Sequence, residues 1–116
     1  MVRRPYVPDA GDVVWASFDP QAGHEQSGRR PALVLTASIY NEKAGLALAC
    51  PITSKIKGYP FEVGVSGKRV QGVVLSDQIR SLDWRSRQFV FVERAHEETM
   101  EAVKQSLSIL LQLSLT

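Results

Sequence analysis

Apolar residues in this chain come in short runs, each broken by a turn signal before it reaches helix length. Val13 to Phe18 reads Val-Val-Trp-Ala-Ser-Phe, and Ala32 to Thr36 reads Ala-Leu-Val-Leu-Thr. Leu46 to Ile52 is apolar, with Pro51 near its end. Phe61 to Val65 and Val73 to Leu75 follow, separated by the turn Ser66-Gly67-Lys68, and Gln88 to Val92 is the last run. Runs of this length, bounded by glycine, proline and polar residues, predict β-strands. Only the C-terminal segment changes period. Met100, Val103, Leu107, Leu110 and Leu111 recur at helical spacing. Glu97, Glu98 and Glu101 stand near its start, where the helix dipole favours negative charge. A helix from about His96 to Leu113 is expected. The fold class is then mainly β with a C-terminal helix: one domain over residues 1–116, built as a small, strongly curved antiparallel sheet or barrel.

Composition narrows the function classes. The chain has 116 residues, 44% hydrophobic and 22% charged, which suits one globular core and not a disordered segment. Lys plus Arg is 14 and Asp plus Glu is 12, a net charge of +2 that permits an anionic partner. No apolar run approaches the roughly 20 residues that span a bilayer, and Met1 to Tyr6 carries no apolar stretch of a signal peptide. The single cysteine, Cys50, has no internal partner, lies in an apolar run and reads as a buried small hydrophobe. No Cys/His cluster has zinc spacing. The expectation is a cytoplasmic domain without metal or cofactor.

Chemistry is concentrated in three polar segments. The first, Asp19 to Pro31, places a carboxylate (Glu25), an imidazole (His24) and two guanidiniums (Arg29, Arg30) within seven residues, beside Gly23 and Gly28. The second, Pro51 to Pro60, ends a strand in two hydroxyls, Thr53 and Ser54, followed by Lys55 and Lys57. Hydroxyls and lysines at a strand end suit a phosphate. The third, Ser76 to Arg87, offers Asp77 and Gln78 for base edges. It also holds Arg85 and Arg87, two apart and so on one side of an extended chain. Trp84 between them reads as a core anchor, although an exposed tryptophan there could stack a base. Taken singly, each segment is equally well a solvated loop; the polar stretch Ser38 to Gly45 reads as a plain connection.

Together and in this order, these segments resemble the MazF toxin family. The resemblance covers nearly the whole chain: Tyr6-Val7-Pro8-Asp9, Gly11-Asp12, Trp15 and Phe18-Asp19-Pro20, then Gly23 to Ala32 and Tyr40-Asn41. It continues through Pro51-Ile52-Thr53, Lys57 to Val63, Asp77-Gln78 and Trp84-Arg85-Ser86-Arg87. The resemblance implies the small SH3-like barrel shared with the Kid and CcdB toxins. It implies a sequence-specific mRNA endoribonuclease (an mRNA interferase) that cuts single-stranded RNA through the ribose 2′-hydroxyl without a metal. It also implies a homodimer, and a MazE-like antitoxin whose acidic, flexible tail covers the RNA groove. The family's catalytic carboxylate falls on Glu25, its guanidinium on Arg30 and its hydroxyl on Thr53. RNA contacts carry over to Phe18, Lys57, Gln78, Arg85 and Arg87. His24 departs from the family pattern and is a candidate general acid.

The residue chemistry fits that reading. Cleavage needs a base for the 2′-OH, charge stabilisation at phosphorus and an acid for the leaving oxygen. Glu25 is ionised at neutral pH and suits the base. Arg30 holds its proton too tightly to be an acid, and suits charge stabilisation through its planar fork of donors. Thr53 donates one neutral hydrogen bond. Lys55, Lys57, Arg80, Arg85 and Arg87 are the cations that would gather along an RNA groove. Two alternatives compete: a CcdB-like gyrase poison, and a barrel that binds nucleic acid without cutting it. The first expects a terminal Trp-Gly-Ile, whereas this chain ends Leu113-Ser114-Leu115-Thr116.

Overall fold

The computed structural model describes residues 5–18 and 28–113. The strands are β1 (Asp12–Ser17), β2 (Arg29–Val34), β3 (Ala47–Thr53), β4 (Glu62–Ser66), β5 (Gln71–Leu75), β6 (Arg80–Leu82) and β7 (Val90–Arg94). A short helix, α1 (Ser38–Ala44), follows β2, and α2 (Glu97–Leu110) follows β7. The strands form one seven-stranded sheet in the order β4-β5-β3-β2-β1-β7, with β6 on β3. All pairs given are antiparallel. β3 keeps β2 on one edge and changes partner along the other, from β6 at Ala47–Ala49 to β5 at Ile52–Thr53. The expected class therefore stands: a mostly β half-barrel with a C-terminal helix.

Alternation along β1 to β3 divides the core in two, because successive side chains leave a strand on opposite faces. Val14, Ala16, Ala32, Val34 and Ala49 pack with Leu82, Trp84 and Phe89 on one face. Val13, Leu33, Cys50 and Ile52 pack with Val65, Val74 and Val103 of α2 on the other. Both faces are covered, so these strands read as unbroken apolar runs.

Four expectations are corrected. β2 begins at Arg29, inside the expected loop, because Arg29 and Arg30 pair with Ser17 and Ala16 of β1. Ser38 to Gly45 is a helix and not a plain connection, closed by Gly45 in the left-handed region (φ 71°). The third polar segment contains β6, which the short run Arg80–Leu82 did not signal. α2 stops at Leu110, so the predicted stripe outruns the core: Val103 is buried and Met100 and Leu107 pack beside it, but Leu110 is 47% exposed.

Asn41 explains why α1 is fixed. It is fully buried, and every polar atom has a partner. Its Nδ2 donates to the Pro8 and Thr36 carbonyls, each at 2.8 Å, and its Oδ1 accepts from Thr36 Oγ1 at 2.6 Å. Its carbonyl accepts the Trp84 indole N–H at 2.8 Å. Nearby, the Arg94 guanidinium and the Tyr6 hydroxyl both donate to the buried Asp12 carboxylate, at 2.7 and 2.6 Å, which ties the N-terminal segment to β7. Among the described residues no helix is long and apolar enough to cross a membrane.

The strand path runs out at β4 and at β7, with β6 a further edge beside β3. The Glu93 carboxylate of β7 reaches the β4–β5 turn and accepts the backbone N–H groups of Lys68 (3.1 Å), Arg69 (3.1 Å) and Val70 (2.9 Å). Slight burial would raise this carboxyl. The N–H donors of Val70, Arg69 and Lys68, with the Arg69 charge, outweigh that and hold it below the usual carboxylate range. Gly67 makes the approach possible, since a Cβ there would run into that carboxylate.

Asn41→Ala removes the donor to the buried Pro8 carbonyl and the part-buried Thr36 carbonyl and is expected to cost about 2–3 kcal/mol. A lower urea midpoint at unchanged m-value checks this. Burial, with the nearby Asp77 charge, pushes the Cys50 thiol up to about 12. Because the thiolate is the reactive form, Cys50 is expected to resist a soluble maleimide at pH 7 to 9 in the folded protein and to react on denaturation.

Candidate active site

Arg30 stands near the start of β2 and Thr53 is the last residue of β3. The two strands pair with Ala32 opposite Pro51 and Leu33 opposite Cys50. Carried two residues further, that antiparallel register sets Arg30 opposite Thr53. Both line an open cleft of about 470 Å³, with Trp15 and Pro31 on one side and Arg69 and Gln71 of the β4–β5 hairpin on another. Its adjacent arginine faces elsewhere: Arg29 donates from Nη2 to the Gln88 carbonyl at 3.0 Å.

Two local features set Thr53. Its hydroxyl oxygen accepts the Lys55 N–H at 3.1 Å, which leaves the hydroxyl proton to donate to a ligand. Gly72 of β5 lies against its backbone at φ 142°, and a Cβ there would overlap the Thr53 carbonyl oxygen. Only glycine lets β5 run this close to the end of β3.

The described walls of the cleft carry three cations, Arg30, Lys55 and Arg69, and no carboxylate. Thr53, Ser54 and Gln71 add neutral polar groups. Such a surface attracts a polyanion and repels a divalent cation. Among the described residues no group of three or more His, Cys, Asp or Glu side chains is placed to hold a metal.

Two of the sequence-derived site residues, Arg30 and Thr53, thus meet in one cleft. Glu25 and His24 lie outside the described residues. The five expected RNA contacts fall elsewhere than on the cleft walls. Gln78 is exposed in a single 3-10 turn, Ser76–Gln78. Lys57 is exposed, its backbone N–H held by the Glu62 carboxylate at 3.2 Å. Phe18 packs against the core, with the Arg80 guanidinium 5.7 Å above its ring.

Arg85 and Arg87 require a correction. The chain from Asp83 to Arg87 is a turn, not extended, closed by the Arg87 N–H on the Asp83 carbonyl at 2.9 Å. The two side chains therefore do not share one side by alternation. Arg85 stacks 4.3 Å from the ring centre of Trp84, which is buried in the core as expected. Arg87 donates from Nη1 to the carbonyls of Ser17 (3.1 Å) and Phe18 (2.7 Å), where β1 ends.

Sequence reasoning missed Arg69 and Gln71 as site residues. They sit in and just after a segment whose only local signal is a turn. The β4–β5 hairpin reaches the cleft because β5 pairs with β3 at Ile52 and Thr53, and Glu93, on a strand far along the chain, accepts the N–H groups of its turn.

Residues 9–111 match the model of the family described as PemK-like, MazF-like toxin of type II toxin-antitoxin system. The chain is 45% identical over 111 residues to the endoribonuclease toxin MazF of Escherichia coli strain K12, covering 96% of this chain and 99% of that protein. The endoribonuclease EndoA of Bacillus subtilis is 34% identical over 109 residues, 89% of this chain and 93% of that protein. The crystal structure of MazF from Deinococcus radiodurans superposes with a TM-score of 0.85 at 54% identity, covering 94% of this chain and all (100%) of that one. A MazE–MazF complex from the same organism gives 0.84 at 48% identity, covering 95% and 100%. With a family model matching residues 9–111 and a relative 45% identical across nearly its whole length, this chain belongs to the PemK-like, MazF-like toxins of type II toxin–antitoxin systems.

Proposed function

We propose that the cleft shared by Arg30 and Thr53 is where this endoribonuclease toxin cuts single-stranded RNA, through the ribose 2′-hydroxyl and without a metal ion. The observation that carries the reading is the cleft's charge: three cations and a positioned hydroxyl, with no carboxylate on the described walls. The cations fill the electrostatic role that a divalent ion fills in metal-dependent nucleases.

In this reading the scissile phosphate lies between Arg30 and Thr53. Arg30 offers a planar fork of donors to the non-bridging oxygens, whose charge grows as the 2′-oxygen attacks. Thr53 donates its hydroxyl proton to the same centre. The base that takes the 2′-OH proton must come from outside the described walls, which hold only cations and neutral groups. Glu25 is assigned that role. Five residues before Arg30, it is within about 18 Å of it even on a fully extended chain. His24 remains the candidate acid for the leaving 5′-oxygen. The products are a 2′,3′-cyclic phosphate or 3′-phosphate and a 5′-hydroxyl end.

Phe18, Lys57, Gln78, Arg85 and Arg87 are assigned to the flanking RNA. Single strands are the substrate because duplex A-form RNA hides its base edges. The active unit is proposed to be a cytoplasmic homodimer whose two copies build one RNA groove. Apolar surface left open at the end of α2 supports a second copy: Ile109 is 71% and Leu111 62% exposed. A MazE-like antitoxin with an acidic tail is proposed to cover the same cations.

Purified protein in excess EDTA is expected to cut single-stranded RNA at a short motif and to spare DNA of the same sequence. A single deoxyribose at the cleavage position is expected to abolish cutting; a requirement for added Mg²⁺ would overturn the mechanism. Arg30→Ala is expected to lower kcat by roughly a hundred- to thousandfold. Thr53→Val, which loses one neutral hydrogen bond, is expected to lower it by about tenfold. Glu25→Gln is expected to abolish cutting. Single-turnover cleavage checks all three, and wild-type rates in any one would refute that residue's role.

A further inference from the structure

We propose that Arg69 binds a second RNA phosphate, next to the scissile one, and that Glu93 is the positioning residue that holds Arg69 on the cleft wall. The proposal rests on the assignment of the Arg30–Thr53 cleft as the cleavage site and adds a neighbouring subsite to it.

Arg69 lies in the turn between β4 and β5, far along the chain from Arg30, yet both line the same cleft. The turn is fixed from behind. The Glu93 carboxylate accepts the Arg69 N–H at 3.1 Å together with those of Lys68 and Val70, so the backbone that carries the guanidinium has one orientation. Gly67 gives the carboxylate its room. A carboxylate whose lone pairs are taken up by three amides orients the turn without closing a direct ion pair. No described carboxylate comes within ion-pair distance of the Arg69 guanidinium, since the pairs formed among the described residues belong to Arg94.

Gln71 continues the same wall, and its Nε2 donates back to the Gly67 carbonyl at 3.3 Å, bracing the turn a second time. At about 470 Å³ the cleft is within the range of small-ligand sites, roughly 300–1,000 Å³, and it is open, so a strand passes through it. Scissile chemistry occupies the Arg30–Thr53 wall. The cation on the hairpin wall therefore meets the backbone on one side of the cut, where a phosphate contact adds affinity and register and not rate.

The test uses the full chain and an RNA oligonucleotide carrying 2′-deoxyribose at the cleavage position, so that binding is read without cutting. Arg69→Gln is expected to weaken binding roughly five- to tenfold at 0.1 M salt and to reduce the slope of log K against log salt by about one. On cleavable RNA the expected change is in KM, with kcat lowered less than twofold. Glu93→Ala is expected to weaken binding in the wild-type background and to add nothing in the Arg69→Gln background. Glu93→Gln, which keeps an oxygen acceptor, is expected to recover part of the loss. It also serves as the folded substitute if circular dichroism shows Glu93→Ala unfolded.

Unchanged affinity and slope in Arg69→Gln would overturn the proposal. So would a loss confined to kcat, which would move Arg69 to the scissile centre. Weakened binding of an acidic antitoxin peptide with RNA affinity unchanged would overturn it as well. Additive effects of the Glu93 and Arg69 variants would remove the positioning role. Arg30→Ala run alongside separates the two readings: full cutting by that variant defeats the cleavage-site assignment, whatever Arg69 does.

Discussion

One carboxylate joins the two ends of the strand path, β4 and β7. β7 and β4 terminate the strand order, and neither pairs with the other. Glu93 spans the gap by taking three consecutive backbone N–H groups of the β4–β5 turn. Charge-assisted hydrogen bonds of this kind are roughly twice as strong as neutral ones, and here they act together on one rigid turn. The half-barrel owes its curvature to strand twist and to the bulge between Val13 and Val14, but its closure at this end to a side chain. The cleft lies between these parts: β1, β2 and β3 supply one wall, and the hairpin, paired on β3 through β5 and tied to β7 through Glu93, supplies another.

The second constraint is alternation. Arg29 and Arg30 are neighbours in sequence and leave β2 on opposite sides. One anchors to Gln88 and the other lines the cleft. Thr53 has a similar division of labour within one residue: its oxygen accepts from the Lys55 amide, its proton is available, and its carbonyl is approached by Gly72. Reaction geometry at such a site comes from strand ends, where the ladder stops supporting the backbone and short-range turns take over.

How much of this was legible in the sequence depended on the range of the interaction. The strands of the core were legible because Val13–Ala16, Ala32–Val34 and Ala47–Ile52 are apolar on both faces, a signal carried within each run. Trp84 was legible as core. Ser38–Ala44 was not legible as a helix, because what holds it is a buried polar residue, Asn41, with partners at Pro8 and Trp84. β6 was too short to show a period, and the paired arginines at 85 and 87 were misplaced because Asp83 caps a turn there, accepting the Arg85 and Ser86 N–H groups at 3.1 Å each. Arg30 and Thr53 came from the resemblance, and the β2–β3 register brings them together. Arg69 had no such signal: it reaches the cleft on a hairpin paired to β3 whose turn bonds to Glu93, and nothing in a Gly-Lys-Arg turn names partners on other strands.

The two tryptophans of the chain stand in opposite surroundings. Trp84 is 5% exposed with its indole N–H bonded to a buried carbonyl, whereas Trp15 is 42% exposed at the mouth of the cleft. The molecule therefore contains two intrinsic fluorophores of different colour. The blue-shifted one reports whether the interior is sealed, and the red-shifted one is the emitter that an occupant of the cleft would quench.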